Sequence, residues 1–144
     1  MLGKLAKWLR MLGHDVAYAP HFDDDELIRR AALENRLLLT RDTRIIERKA
    51  VPTHLFITSD HLDQQLRQVF DALDLRVEEA RIFTRCVECN GELEETAKEA
   101  VRERVPPYVF QTQECFVHCP GCDRIYWAGT HVPQMRERLR KLLG

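Results

Sequence analysis

Apolar positions in the first half of the chain recur with two different periods. Leu2, Leu5, Leu9 and Leu12 stand three and four apart, the spacing of one helix face, and Gly13 follows where such a helix would stop. The next stretch, "DVAYA", alternates like a half-buried strand. "HFDDDELIRRAALENR" returns to helical spacing, with Leu27, Ile28, Ala31, Ala32 and Leu33 as its apolar face. Asp23 or Asp24 can cap its start, and the acids that follow suit the positive end of its dipole. "LLLT" and "THLFIT" are short continuous apolar runs of the kind that make parallel strands buried on both faces. "RDTRIIERKA" between them reads as a short helical segment. "DHLDQQLRQVFDAL" places Leu62, Leu66, Val69, Phe70 and Leu73 on one side of a helix. Alternating helices and strands predict an α/β domain whose parallel sheet is covered by helices on both faces.

The pattern changes between residues 75 and 84. From there the chain carries two cysteine-bearing segments, "RIFTRCVECNGEL" and "CFVHCPGCDRIYWAGTH". Between them "EETAKEAVRERVPPYV" predicts a short helix closed by Pro106 and Pro107, and "PQMRERLRKLLG" predicts a terminal helix. We place a boundary near Phe83, giving domains at 1–83 and 84–144.

Composition narrows the class. The chain has 144 residues, of which 44% are hydrophobic and 31% charged, which fits a globular protein. It contains no run of eighteen apolar residues and no signal-peptide pattern, so the expected location is the cytoplasm, with no membrane partner. The net charge of −1 excludes a general polycation. Locally, Lys4, Lys7 and Arg10 recur every third residue as a basic ridge, and Arg136, Arg138, Arg140 and Lys141 enrich the tail. Either patch could face phosphate, or could be a solvated helix face.

All five cysteines lie in the second half, and an odd number argues against a disulfide framework. Cys86-x-x-Cys89 and Cys119-x-x-Cys122 are separated by 29 residues. Two thiolates three positions apart on a tight turn can face one ion at about 2.3 Å, and two such turns close a tetrahedron. Gly91 and Gly121 are expected to permit the turns. The two pairs predict a structural Zn²⁺ in a zinc ribbon; a redox dithiol would need only one pair. Cys115 is left over as a small buried apolar residue, while His118 and His131 are the competing ligands. Tyr108, Tyr126 and Trp127 could stack on bases or fill the ribbon's core.

A second constellation is acidic. Asp42 follows "LLLT" by one residue, Asp60 follows "THLFIT", and Asp23, Asp24, Asp25 and Glu26 follow "DVAYA". Ligand sites of parallel α/β sheets gather at the C-terminal ends of strands. Carboxylates collected there suit a hard cation such as Mg²⁺ or Mn²⁺. Each acid also has a plainer use, because each stands where it could cap a helix.

These motifs, "MLGKLAKWLRMLGHD", "DDDELIRRAALENRLLLTRD", "RCVECNGEL" and "CPGCDRIYWAGTH", together resemble the Mut-seven C-terminal family of PIN-like ribonuclease domains with an attached zinc ribbon. The resemblance covers nearly the whole chain. It implies a PIN-like parallel sheet followed by the ribbon, and a metal-dependent endoribonuclease acting on RNA. It assigns catalytic acids to Asp24, with Asp25 as its substitute, to Asp42 and to Asp60. It implies RNA contacts from Lys4, Lys7, Arg10 and Arg41, and metal ligation by Cys86, Cys89, Cys119 and Cys122. In such relatives a strand ending in aspartate precedes the first helix motif. The chain as given starts after it, which leads us to expect impaired cleavage and an exposed sheet edge able to pair with a second copy. The alternative is a non-catalytic RNA- or ribosome-binding module.

Overall fold

A computed structural model describes residues 2–129 and 131–143. The chain groups into two compact units, residues 1–6 with 17–76, and residues 7–16 with 77–144.

Helix α1 (Gly3–Met11) contributes to both units. Leu5, Leu9 and Leu12 are buried, as their spacing requires. Gly13 ends the helix at φ +93°, a left-handed conformation that glycine adopts without strain. A Cβ on Gly13 would lie 2.5 Å from the Arg81 carbonyl oxygen.

In the first unit, α2 (Asp24–Leu33) is capped by Asp23, whose Oδ1 accepts the Glu26 amide at 2.8 Å. Its Ile28 and Ala31 pack with Leu38 and Ile45 into one apolar cluster, joined by Leu27 and Val51. Ala32 and Leu33, expected on that face, are exposed instead. Strands β1 (Leu38–Thr40) and β2 (His54–Phe56) run parallel, pairing Leu38 with His54 and Thr40 with Phe56. Helix α3 (Thr43–Ile46) joins them. Helix α4 (Leu62–Leu73) buries Leu66, Val69 and Phe70 but leaves Leu73 half exposed. Two of its glutamines hold the exit of β2. Gln68 Nε2 donates to the Phe56 carbonyl at 2.6 Å, and buried Gln65 Nε2 donates to the Ser59 carbonyl at 2.9 Å. These bonds satisfy backbone groups that a longer strand would otherwise pair.

Residues 15–19, expected as a strand, form none. The Val16 amide donates to Asn90 Oδ1 at 3.0 Å and its carbonyl accepts Arg10 Nε at 2.9 Å. Side chains have taken both backbone groups that a ladder would need at this position.

In the second unit, strands β3 (Glu94–Thr96), β4 (Phe116–His118) and β5 (Ile125–Tyr126) form an antiparallel sheet in that order. An isolated bridge joins Arg85 to Glu92. Residues 98–101 make a single 3₁₀ turn, and helix α5 (Pro107–Thr112) comes after the two prolines. The prolines therefore open a helix rather than close one: Pro107 sits at a first-turn position, where a missing N–H costs nothing. Val101, Val105, Val109 and Phe116 form the ribbon's apolar cluster, with Phe110, Ile125 and Trp127 against it. Helix α6 (His131–Leu143) fulfils the terminal expectation and buries Val132, Met135 and Leu139.

Substituting Gly13→Ala is expected to lower stability by at least about 1–3 kcal/mol, since it adds both backbone strain and a clash with Arg81. Urea denaturation checks this, and an unchanged midpoint would contradict the contact.

Candidate functional site

The sulfur atoms of Cys86, Cys89, Cys119 and Cys122 lie within 4.8 Å of one another. Cys86 and Cys122 are 3.5 Å apart, and Cys89 and Cys119 are 3.3 Å apart. A tetrahedral zinc with bonds of about 2.3 Å sets its sulfurs about 3.8 Å apart, so the four donors fit the ion closely. The two knuckles are built alike. In the first, the Cys86 amide donates to Gly91 at 2.8 Å and the Asn90 amide donates to Cys86 at 2.9 Å. In the second, the Cys119 amide donates to Arg124 at 2.9 Å and the Asp123 amide donates to Cys119 at 2.7 Å.

The turns do not depend on glycine as expected. The left-handed residues are Asn90, at φ +71°, and Asp123, at φ +65°, each four positions after the first cysteine of its knuckle. Asparagine and aspartate are the side chains that tolerate this region best. Gly91 has a different use, which is room for sulfur, whereas a Cβ on Gly121 would make only ordinary contact at 3.6 Å from Cys89 Sγ. A Cβ on Gly91 would stand 3.3 Å from Cys89 Sγ and 3.4 Å from Cys119 Sγ.

Neighbouring groups treat the thiols unequally. Burial pushes the Cys86 thiol up, but the Tyr126 hydroxyl, 3.0 Å from its Sγ, and the knuckle's backbone amides together bring it down to about 7. Burial pushes Cys89 up to about 12. A coordinated thiol is deprotonated outright, so a bound cation would level this difference. Cys115 is exposed, contrary to its expected burial, and stands outside the cluster. His118 is also outside it and pairs with Asp123 at 2.7 Å. The side chain of His131 falls outside the described residues. Trp127 packs edge-on against Phe116 at 6.4 Å, which makes it a core residue, while Tyr108 remains exposed.

The acids follow a different pattern. Asp42 caps α3: its Oδ1 accepts the Arg44 amide at 2.8 Å, and its Oδ2 accepts Arg44 Nη2 at 3.1 Å. The Arg44 side chain, then its backbone amide, hold the Asp42 carboxyl below the usual range. Arg48 pairs with Asp25 and lies 3.8 Å from Asp24. Asp24 also acts electrostatically on Arg44, and Arg48 acts on Asp42, so the starts of α2 and α3 share one field. Asp60 is exposed, with His61 at 3.5 Å, and caps nothing; the His61 amide donates to Ser59 Oγ instead. Among the described residues, the cysteines are the group of three or more ligand side chains close enough to share an ion. Asp24, Asp25 and Asp42 are met by arginines.

The chain matches the family model described as the Mut7-C RNAse domain over residues 1–139. It belongs to the Mut7-C RNAse domain family. No curated protein and no solved structure matches it. Membership supports an RNase-like function with RNA as the class of substrate, and the cysteine cluster adds a site able to hold a metal such as zinc. No helix among the described residues is long and apolar enough to cross a membrane.

Of the basic residues assigned to RNA in this Mut7-C chain, Lys4 and Lys7 are exposed, and Lys7 lies 3.4 Å from Glu88. Arg10 is only 4% exposed and turns its guanidinium onto backbone carbonyls, so the expected three-residue ridge loses its last member. Arg41 has a buried Nε with no hydrogen-bond partner among the described residues. Arg44 and Arg48 went unnoticed in the sequence, and Tyr126, expected to stack on bases or fill the ribbon's core, instead meets Cys86 Sγ at 3.0 Å. The arginines carried a faint signal there, since both closely follow the acids of "TRD" in a segment otherwise read only as a helix.

The Mut7-C chain is expected to hold about one zinc per molecule by elemental analysis, bound with roughly 10–16 kcal/mol of apparent energy. Stripping the metal, or the substitution Cys119→Ser, should abolish the near-ultraviolet circular dichroism of the ribbon aromatics. An unchanged spectrum in a metal-free sample would contradict a structural zinc.

Proposed function

We propose that this chain is a metal-dependent endoribonuclease whose catalytic acids are Asp24, Asp25, Asp42 and Asp60. The observation that supports the reading, beside family membership, is the geometry at the starts of α2 and α3, where Arg48 pairs with Asp25 and lies 3.8 Å from Asp24 while Arg44 pairs with Asp42 at 3.1 Å. A divalent ion held by such acids would supply an activated water and stabilise a phosphodiester transition state.

The chain's own residues set the terms for that chemistry. Asp42 remains an ionised acceptor, because Arg44 disfavours its protonation. Arg44 is 83% exposed in its side chain and Arg48 41%, so both can turn from carboxylate to phosphate when RNA arrives. Arg41 brings a buried donor lacking an acceptor to the residue next to Asp42, and a phosphate oxygen would satisfy it. Lys4 and Lys7 add backbone contacts, and the zinc ribbon aids RNA binding.

One observation favours a second reading, a non-catalytic RNA-binding module. Asp24, Asp25 and Asp42 are already paired with arginine, and Asp42 already has a structural use as a cap. The substitution Asp42→Asn separates the two. As an endoribonuclease, the variant loses about a hundredfold or more of its Mg²⁺- or Mn²⁺-dependent cleavage of single-stranded RNA, the scale of losing one electrostatic stabiliser, and keeps its RNA affinity. As a binding module, neither wild type nor variant cleaves, and stability changes little because asparagine caps a helix about as well as aspartate.

A further inference from the structure

The residue of α1 that turned away from solvent has a definite target. Arg10 Nη1 donates to the carbonyls of Val87 at 2.9 Å and Glu88 at 3.3 Å. These are the two residues between Cys86 and Cys89. Its Nε donates to the Val16 carbonyl at 2.9 Å. Asn90, the left-handed residue of the same knuckle, accepts the Val16 amide at 3.0 Å and donates to Asp15 Oδ1 at 2.7 Å. A backbone bond, a side-chain bond and an ion pair complete the join: Phe83 N to Met11 O at 2.9 Å, Arg81 Nη2 to Gly13 O at 2.9 Å, and Lys7 to Glu88 at 3.4 Å. Residues 7–16 are thus bonded along their length to the segment that forms the first knuckle.

Charge gives this arrangement a purpose. Four thiolates around Zn²⁺ leave a net charge of about −2 in a partly buried place, and such a charge needs a counter-charge nearby. Arg10 is a buried cation on that knuckle, and the thiols of both Cys86 and Cys89 act to favour its charged form against burial. Its Nη1 alone holds the successive carbonyls of Val87 and Glu88 while its Nε holds Val16, so one guanidinium ties the stretch between the two cysteines to residue 16. Groups that orient ligands from outside the coordination sphere typically change metal affinity about 10–100-fold when removed.

We propose that Arg10 is a positioning residue for the four-cysteine metal centre, and that through Arg10 and Asn90 metal occupancy governs the seating of residues 7–16. The ligand is a divalent, thiophilic cation of the zinc class. Metal binding tightens the α1 end and the loop after it, and their loss loosens the metal in return, as linkage requires. This inference stands apart from the ribonuclease reading, since none of its terms involves the acids or RNA.

Two measurements on the full chain test it. In the first, zinc affinity is measured by competition with a chromophoric chelator, and Co²⁺ substitution reports the sulfur-to-metal charge-transfer band. Arg10→Met is expected to weaken zinc about tenfold or more, and Arg10→Lys, which keeps the charge without the fork, to fall between Met and wild type. Wild-type affinity in Arg10→Met overturns the proposal; Lys as weak as Met overturns its charge argument. The second uses the unmutated chain and so holds even if Arg10→Met does not fold. Amide hydrogen exchange is followed with zinc bound and after chelation. Residues 7–16 are expected to lose protection together with residues 84–93. Continued protection of 7–16 while the knuckle opens overturns the coupling.

Discussion

Four cysteine sulfurs within 4.8 Å of one another can all be thiolates only with a cation among them. Much of the second unit follows from that electrostatic constraint. Among the described residues the ribbon's strands are short, two or three residues each, and its sheet packs on a modest apolar cluster. Its two knuckles use the same backbone hydrogen-bond pattern and the same left-handed position, and the first leaves Gly91 where a side chain would press on sulfur. These are the requirements of a tetrahedral ion met twice, once by each half of the ligand set.

The first unit meets concentrated charge in the opposite way. Its acids begin helices, where dipoles and caps already favour negative charge, and arginines from α3 and the turn after it neutralise them. Exposed pairs of this kind add little stability and exchange easily with water, ions or phosphate. Four clustered soft sulfur donors, two of them buried, suit a resident structural ion, whereas oxygen donors paired with long arginines suit a visitor. The contrast agrees with family membership, which joins an RNase domain to a site able to hold metal.

Polar side chains do much of the work that longer strands would do. Gln65 and Gln68 satisfy the backbone leaving β2. Arg10 and Asn90 do the same for residue 16, and the stretch from 15 to 19, which alternates like a strand, never enters a ladder. Period-two patterning reports which side chains alternate between surroundings. It does not report where the amides bond. Exposed Ala32 and Leu33 have a similar explanation: helical spacing named a wider apolar face than this small cluster can cover.

What the sequence determined by itself were the features written in local spacing. The period of Leu5, Leu9 and Leu12, the apolar runs of β1 and β2, the cap at Asp42 and the paired Cys-x-x-Cys motifs each depend on neighbours a few positions away. They survive in the structure, except that β2, expected to be buried on both faces, has His54 exposed and Leu55 and Phe56 only partly buried. What only the tertiary structure decided were partners distant along the chain. Arg10 reads as one more cation on a basic ridge until residues 87 and 88 arrive beneath it, 77 and 78 positions later. Asp24 and Asp25 read as acids awaiting a metal until Arg48 closes on them. A side chain's charge is fixed by its chemistry, but the group it answers is chosen by how the chain folds back, and no local period carries that information.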